Sequence, residues 1–282
     1  MVFVLKILSF LACYTPQIVV EALAKGLAFL FYDVFKIRRR LIEKNIVTAF
    51  PDLAASEVSV MGRASIHSFI QTYFEFLRSP RHSIHKNIHS EGAQHLEKAL
   101  AEGHGVYIIC CHLGNWEAMG GYLTHNFTNT HVVVKKVGSK AVNVYVEKLR
   151  EHNGFLGIKR QKKGDAHTAI KKALSENEVV GFVMDQARPN EPRMKFFSKD
   201  ATTNTSFAAI WRKNKAPIIP SYIERTSFGH HVVHILPEVK RELTENEQED
   251  ILQHSLVFNK VVESMIRRNP YQYFWIHNRW KS

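Results

Sequence analysis

Val106-Tyr107-Ile108-Ile109-Cys110-Cys111-His112-Leu113-Gly114-Asn115-Trp116-Glu117 reads as a buried strand running into a helix, with a base at the junction and a carboxylate five positions on. The first six residues are apolar without alternation, the pattern of a strand covered on both faces. His112 ends that strand, Gly114 supplies freedom for a turn, and Asn115 suits the N-cap of the next helix. On one continuous helix, side chains five apart point about 140° away from each other, because each residue turns about 100°. Across a strand-to-helix junction they are expected to come together. An imidazole takes a proton from an alcohol near neutral pH, and a carboxylate on its other nitrogen fixes the tautomer and stabilises the imidazolium. His112 is therefore read as a general base and Glu117 as its orienting partner.

No Gly-x-Ser-x-Gly turn lies near His112, so an acceptor hydroxyl, not an enzyme nucleophile, is the expected attacking group. Cys110-Cys111-His112 also raises a metal or thiol reading. The spacing argues against it, since neighbours along a strand face opposite ways and zinc sites use spaced ligand pairs. The three cysteines form no disulfide framework and suit a reducing compartment.

Outward from the junction, the pattern alternates. Helices are expected over 41–78 with Ser56 as N-cap, over 92–103, 115–124, 139–152, 165–176 and 203–214, and over 247–268, the last after an acidic start at Glu242 to Asp250. Strands are expected over 106–111, 131–136, 155–158, 179–184 and 217–225, with 231–237 pairing beside the last. Strands separated by helices of this length predict an α/β fold, a mixed and mainly parallel sheet flanked by helices on both faces. Open sheets of this kind place ligands at the carboxyl ends of strands, where His112, Lys135 and Asp185 fall. Of the closing aromatics, Phe274 is expected in the core, with Ile276, and Trp280 at a lipid interface.

The 282 residues, 45% of them hydrophobic, are enough for one full core. Lysines and arginines total 38 against 26 acidic residues, a net charge of +12 that attracts anionic partners. No recognised nucleic-acid motif accompanies that charge, so nucleic acid is not an expected partner; a non-enzymatic basic membrane-binding protein is the competing class. Residues 1–35 are apolar but interrupted by Lys6, Pro16, Glu21, Lys25 and Asp33. They are read as an N-terminal apolar membrane-anchoring helix, either a tilted span from Val2 to Val20 or an interfacial one, with residues 36–282 as the catalytic domain. A secretory leader cut near Ala22-Leu23-Ala24 is the rival reading, opposed by Glu21 and by the apolar stretch that resumes at Gly26. The cluster Lys36-Ile37-Arg38-Arg39-Arg40 favours a cytoplasmic position for the catalytic domain.

His112-Leu113-Gly114-Asn115-Trp116-Glu117 after an apolar strand resembles the first signature of the bacterial lipid A late acyltransferases, the lauroyl and myristoyl transferases within the wider glycerolipid acyltransferase-like group that uses a His-x4-acid motif. The likeness continues in order through Arg38-Arg39-Arg40-Leu41, Asn45, Ala49-Phe50-Pro51, Gly92 to Leu96, Asp185-Gln186, Pro217 to Pro220 and Tyr271 to Lys281, nearly the whole chain from about residue 30. The resemblance implies acyl carrier protein as thioester donor, a glycolipid acceptor (a lipid A precursor), membrane lipids as surroundings, the cytoplasmic face of the bacterial inner membrane, and no metal or redox cofactor. For such a reaction Lys135 or the backbone amides near Asn115 are candidates at the oxyanion, Asp185 and Gln186 for acceptor hydroxyls, and Arg188 for a phosphorylated headgroup. Lys135 stands where the family carries an Arg, keeping the charge but losing the planar fork. Lys195-Phe196-Phe197-Ser198 and Thr203-Asn204-Thr205-Ser206 also depart from the family pattern. A glycerolipid or mannosylated phosphoinositide acceptor is the alternative within enzymes.

Overall fold

The computed structural model describes residues 2–134, 139–159, 165–214, 216–240 and 242–281. In chain order its helices are α1 (Val2–Tyr14), α2 (Gln17–Phe29), a π-turn at Leu30–Val34, α3 (Arg39–Ala49), α4 (Ala55–Arg78), α5 (Ala93–Leu100), α6 (Trp116–Asn126), α7 (Lys140–His152), α8 (Asp165–Ser175), α9 (Ser206–Lys213) and α10 (Glu247–Arg268). The strands are β1 (Ile88–Glu91), β2 (Val106–Cys110), β3 (Thr130–Val134), β4 (Leu156–Lys159), β5 (Val179–Val183), β6 (Arg193–Phe196), β7 (Lys199–Thr202), β8 (Ile218–Ser227) and β9 (His230–Ile235). Seven of them form one sheet in the order β1-β9-β8-β2-β5-β3-β4, and β6 and β7 form a separate hairpin. Among the described residues, only the β8–β9 pairing in the large sheet is antiparallel. The sheet is thus the mixed, mainly parallel one that the sequence predicts.

Alternation along the strands divides the core into two layers. Tyr107, Ile109, Val180, Phe182 and Ile218 pack with Phe207, Trp211, Phe258 and Met265 of α9 and α10. Val106, Ile108, Cys110, Val179 and Ile219 pack with Leu96, Ala118, Leu123 and Leu149 of α5, α6 and α7. All five residues of β2 are buried, as a central parallel strand requires.

Several boundaries differ from expectation. The stretch 41–78 is two helices, because Pro51 cannot donate to a continuing helix and its ring excludes the preceding turn. Ala54, not Ser56, occupies the N-cap of α4, and the Glu57 carboxylate accepts the Ala54 N–H at 2.8 Å. The stretch 1–35 is likewise broken at Pro16, leaving two helices of 13 residues each. A tilted span from Val2 to Val20 is therefore not formed, and no helix among the described residues is long and apolar enough to cross a membrane. Both short helices lie on α4; at α1 and the turn after it, Ser9 Oγ donates to the Leu77 carbonyl at 2.6 Å, and Arg78 Nη1 donates to the carbonyls of Ala12 and Thr15 at 2.6 and 2.7 Å. Trp280 is in the core, not at a lipid interface; it is buried against Phe196 and Phe197, and its Nε1 donates to the Phe196 carbonyl at 3.1 Å.

Candidate active site

β2 and β5 are adjacent and parallel, with Cys110 beside Val183. Two residues further along each strand, His112 and Asp185 leave the sheet side by side. His112 Nδ1 lies 2.8 Å from Asp185 Oδ1, and the His112 backbone N–H donates to Asp185 Oδ2 at 3.1 Å. Asp185 is 1% exposed, while the His112 side chain keeps 20% of its surface open. Burial alone raises the Asp185 carboxyl, but the charge of His112 and the two hydrogen bonds outweigh it and hold the group below the ordinary carboxylate range. A carboxylate so placed selects the tautomer with a proton on Nδ1 and leaves Nε2 as the free base.

The carboxylate on His112 is therefore Asp185, not the expected Glu117. Glu117 sits in the first turn of α6 and accepts both forks of Arg150 from α7, from Nε at 2.8 Å and from Nη2 at 2.5 Å. Burial lowers the Arg150 guanidinium, but the charge of Glu117 and its hydrogen bonds more than offset this and hold it above its ordinary range. Both Glu117 oxygens are thus engaged by Arg150, while Glu117 and His112 line the same apolar cavity. That cavity holds about 220 Å³ between β2, β5 and β3 on one side and α6 on the other, with Phe155 beside it. Ile108, Cys110, Val132, Val183, Met119 and Leu123 form much of its wall, and His112, Trp116, Glu117, Arg150 and Gln186 bring polar groups to it.

The junction is held from beneath by a buried polar network. Asn115 caps α6 as expected, its Oδ1 accepting the Ala118 N–H at 3.0 Å, but it points away from the cavity and its Nδ2 donates to Glu75 Oε2 at 2.8 Å. Glu75 also accepts Arg225 Nε at 2.9 Å and Nη2 at 2.8 Å. Burial raises the Glu75 carboxyl, and Arg225 overcomes that to hold it ionised below its ordinary range. Thr72 Oγ1 donates to the Gly114 carbonyl at 2.8 Å, and Gly114 has φ +58°, where an added Cβ would lie 2.2 Å from the Ile223 carbonyl oxygen. Glycine is thus required at this turn both for its conformation and for its closeness to β8.

Gln186 stands beside the base, its Nε2 3.5 Å from His112 Nδ1, and lines the cavity. Arg188 is directed elsewhere: its Nη1 donates to Asn204 Oδ1 at 3.2 Å and Ser206 Oγ at 2.8 Å, at the start of α9. Lys135 lies outside the described residues. Burial pushes the thiols of Cys110 and Cys111 up, which keeps them protonated and opposes a thiolate nucleophile. Arg150, Glu75 and Arg225 do not stand out in the sequence, where each reads as one more charged residue on a helix or strand.

The family described as "Bacterial lipid A biosynthesis acyltransferase" matches residues 1–282. The chain is 24% identical over 257 residues to the lipid A biosynthesis palmitoleoyltransferase of Escherichia coli (strain K12), a match covering 88% of this chain and 80% of that protein. The lipid A biosynthesis acyltransferase of Shigella flexneri matches to the same extent. The lipid A biosynthesis lauroyltransferase of Escherichia coli (strain K12) is 23% identical over 280 residues, covering 95% of this chain and 87% of that protein.

Proposed function

We propose, from the premise that the chain belongs to the bacterial lipid A biosynthesis acyltransferase family and is an acyltransferase, that it moves a fatty acyl chain from an acyl carrier protein thioester to a hydroxyl of a lipid A precursor. The observation that carries this reading is the His112–Asp185 pair on an apolar cavity of about 220 Å³. His112 Nε2 takes the proton of the acceptor hydroxyl, whose oxygen attacks the thioester carbonyl. Asp185 stabilises the imidazolium, which returns its proton to the departing thiolate. Arg150, held by Glu117, supplies positive charge toward the oxyanion, with the first-turn amides of α6 beside it. The cavity takes the acyl chain. Arg188, bonded to Asn204 and Ser206 at the start of α9, and the basic residues near it suit a phosphorylated headgroup.

The reading includes a membrane-surface position on the cytoplasmic face of the bacterial inner membrane, with residues 1–35 as an interfacial anchor and 36–282 as the catalytic part. Sixteen of the twenty-five exposed large apolar side chains among the described residues lie between Phe3 and Ile37, a distribution that favours contact with lipid. The test is mass spectrometry of a lipid A precursor incubated with this protein and acyl-loaded carrier protein, with H112A and D185N at matched abundance. One added acyl mass, lost in both variants, is expected. Undiminished transfer by H112A would reject the general base. No mass shift with any acyl length, from folded protein, would point instead to a glycerolipid or glycosylated-lipid acceptor.

A further inference from the structure

The closing segment Gln272–His277 is part of neither the base nor the cavity, yet it is hydrogen-bonded to both loops that form the site. The Gly114 N–H donates to the Gln272 carbonyl at 3.2 Å and the Phe274 N–H to the His112 carbonyl at 3.0 Å, with Leu113 opposite Tyr273 in an antiparallel bridge. Further on, His277 Nε2 accepts the Ala187 N–H at 3.1 Å, two residues past Asp185. The segment is tied down from behind. Asn45 Nδ2 donates to the carbonyls of Trp275 and His277 at 2.8 and 2.7 Å, Ser65 Oγ to that of Tyr273 at 2.6 Å, and Arg38 Nη1 to that of Ile276 at 3.3 Å. The loop after β2 and the loop after β5 are thus fastened to one strap, independently of the sheet ladder.

Resting on the acyl-transfer reading, we propose that His277 is a positioning residue: its neutral imidazole fastens the Asp185–Ala187 loop so that Asp185 meets His112, and protonating it releases the loop and stops transfer. An accepting Nε2 requires the neutral ring to carry its proton on Nδ1. Once protonated, the ring presents two donors, and the Ala187 N–H then faces another N–H. The charged and titratable groups around His277 are Asp185 and His112 on the two site loops, Arg279 and Lys281 on its own segment, and Arg38 bonded to the neighbouring carbonyl. Burial lowers its pKa most; Asp185 opposes this, while His112, Arg279 and Lys281 reinforce it. These influences together favour the neutral ring.

The experiment compares full-length wild type, H277A and H277Q by kcat and KM as functions of pH, and tracks the downfield NMR resonance of the His112–Asp185 proton in the same proteins. A glutamine amide oxygen accepts the same bond but does not titrate. H277A is expected to lose about 10- to 100-fold in kcat with little change in KM, since small misplacements at a site have effects of that size. H277Q is expected to recover most of that loss. The acid limb of kcat should be steeper in wild type than in H277Q, by roughly one proton. The NMR resonance should survive to lower pH in H277Q than in wild type. An H277A variant with wild-type kcat, or an H277Q acid limb identical to that of wild type, would overturn the proposal. If H277A does not fold, the comparison of wild type with H277Q decides alone. If wild type transfers no acyl group, the transferase reading fails, and the resonance still tells whether His277 holds the pair: equal pH dependence in wild type and H277Q rejects it.

Discussion

In the proposed transfer, His112 needs its ring held, because a freely turning imidazole presents either nitrogen to the hydroxyl and its cation goes unstabilised. Asp185 meets both needs with one carboxylate, binding the ring at 2.8 Å and the His112 backbone N–H at 3.1 Å. Two groups that act on one proton are expected to be non-additive. H112A should lower kcat by about 10³-fold and D185N by about 10²-fold, within the range for positioned acid–base groups, and the double variant should be no slower than H112A. Steady-state kinetics of the four proteins tests this; a double variant slower by the product of the two losses would show that Asp185 acts elsewhere. The His112 half of the pair was legible in the sequence, because an apolar strand ending in a histidine before a capped helix is a local pattern. Asp185 was legible as a candidate substrate-binding residue at a strand end, but not as the partner of His112. Its partnership depends on β5 lying next to β2, a neighbour relation set by a crossover of some seventy residues, which local pattern does not encode.

At the scale of elements, α6 and the three strands facing it set the shape of the cavity, and the glycines among them set its width. Gly181 of β5 lines it, and an added Cβ there meets only ordinary contacts, 3.6 Å to the His131 carbonyl oxygen and to Val132 Cγ2. Gly120 of α6 differs, since a Cβ there lies 3.0 Å from the Phe155 ring. G181V should therefore fold while narrowing the cavity, and lower kcat/KM for long acyl donors by about 15-fold relative to donors two carbons shorter, each lost buried methylene being worth roughly 0.8 kcal/mol. Competition between mixed acyl-loaded carriers, read by product mass, measures the shift; an unchanged chain-length profile would remove the acyl chain from this cavity. The helices and strands around the cavity were legible from periodicity because each buries one regular face. Less was legible where burial is short or irregular: β1 and the β6–β7 hairpin, four residues each, carry too few alternations to announce a strand. The Glu75–Arg225 pair beneath Asn115 was hidden for a different reason, since its members lie 150 positions apart and a charge reads as surface until its partner is known.

Over the whole molecule, buried titratable groups make stability depend on pH in two windows. His67, His85, His231 and His277 are all held below the ordinary histidine value, with burial the largest cause in each. The unfolded chain binds more protons at these sites below about pH 6.5, so their contribution is complete above that value and is withdrawn as pH falls. His231, lowered to about 4, alone accounts for a loss on the order of 3 kcal/mol between those limits. Asp185 and Glu75, also held low, add a second loss below about pH 4. The urea midpoint should hold steady from pH 8 to 7 and fall already between 6.5 and 4.5; a midpoint level to 4.5 would contradict the burial of these rings. The other molecular-scale asymmetry is apolar. Phe3, Ile18 and Phe35 are 73%, 78% and 67% exposed, on a stretch that leads into Lys36, Arg38 and Arg40, so the first forty residues carry exposed hydrocarbon and positive charge together. Helices of 13 residues, packed on α4, are suited to lie in the headgroup layer and not to cross it. Replacing these three residues by serine removes partial burial worth roughly 1 kcal/mol each, about a hundredfold in partition when summed. Sedimentation with anionic vesicles should show that loss for the triple variant. Added salt should weaken wild type as well, because the basic cluster contributes a screened attraction. Phe3, Ile18 and Phe35 neither bond the His112–Asp185 pair nor line the cavity, so transfer to a detergent-dispersed acceptor should persist in the triple variant while transfer to a vesicle-embedded one falls. Equal vesicle binding by the two proteins would assign the exposed apolar end to something other than lipid.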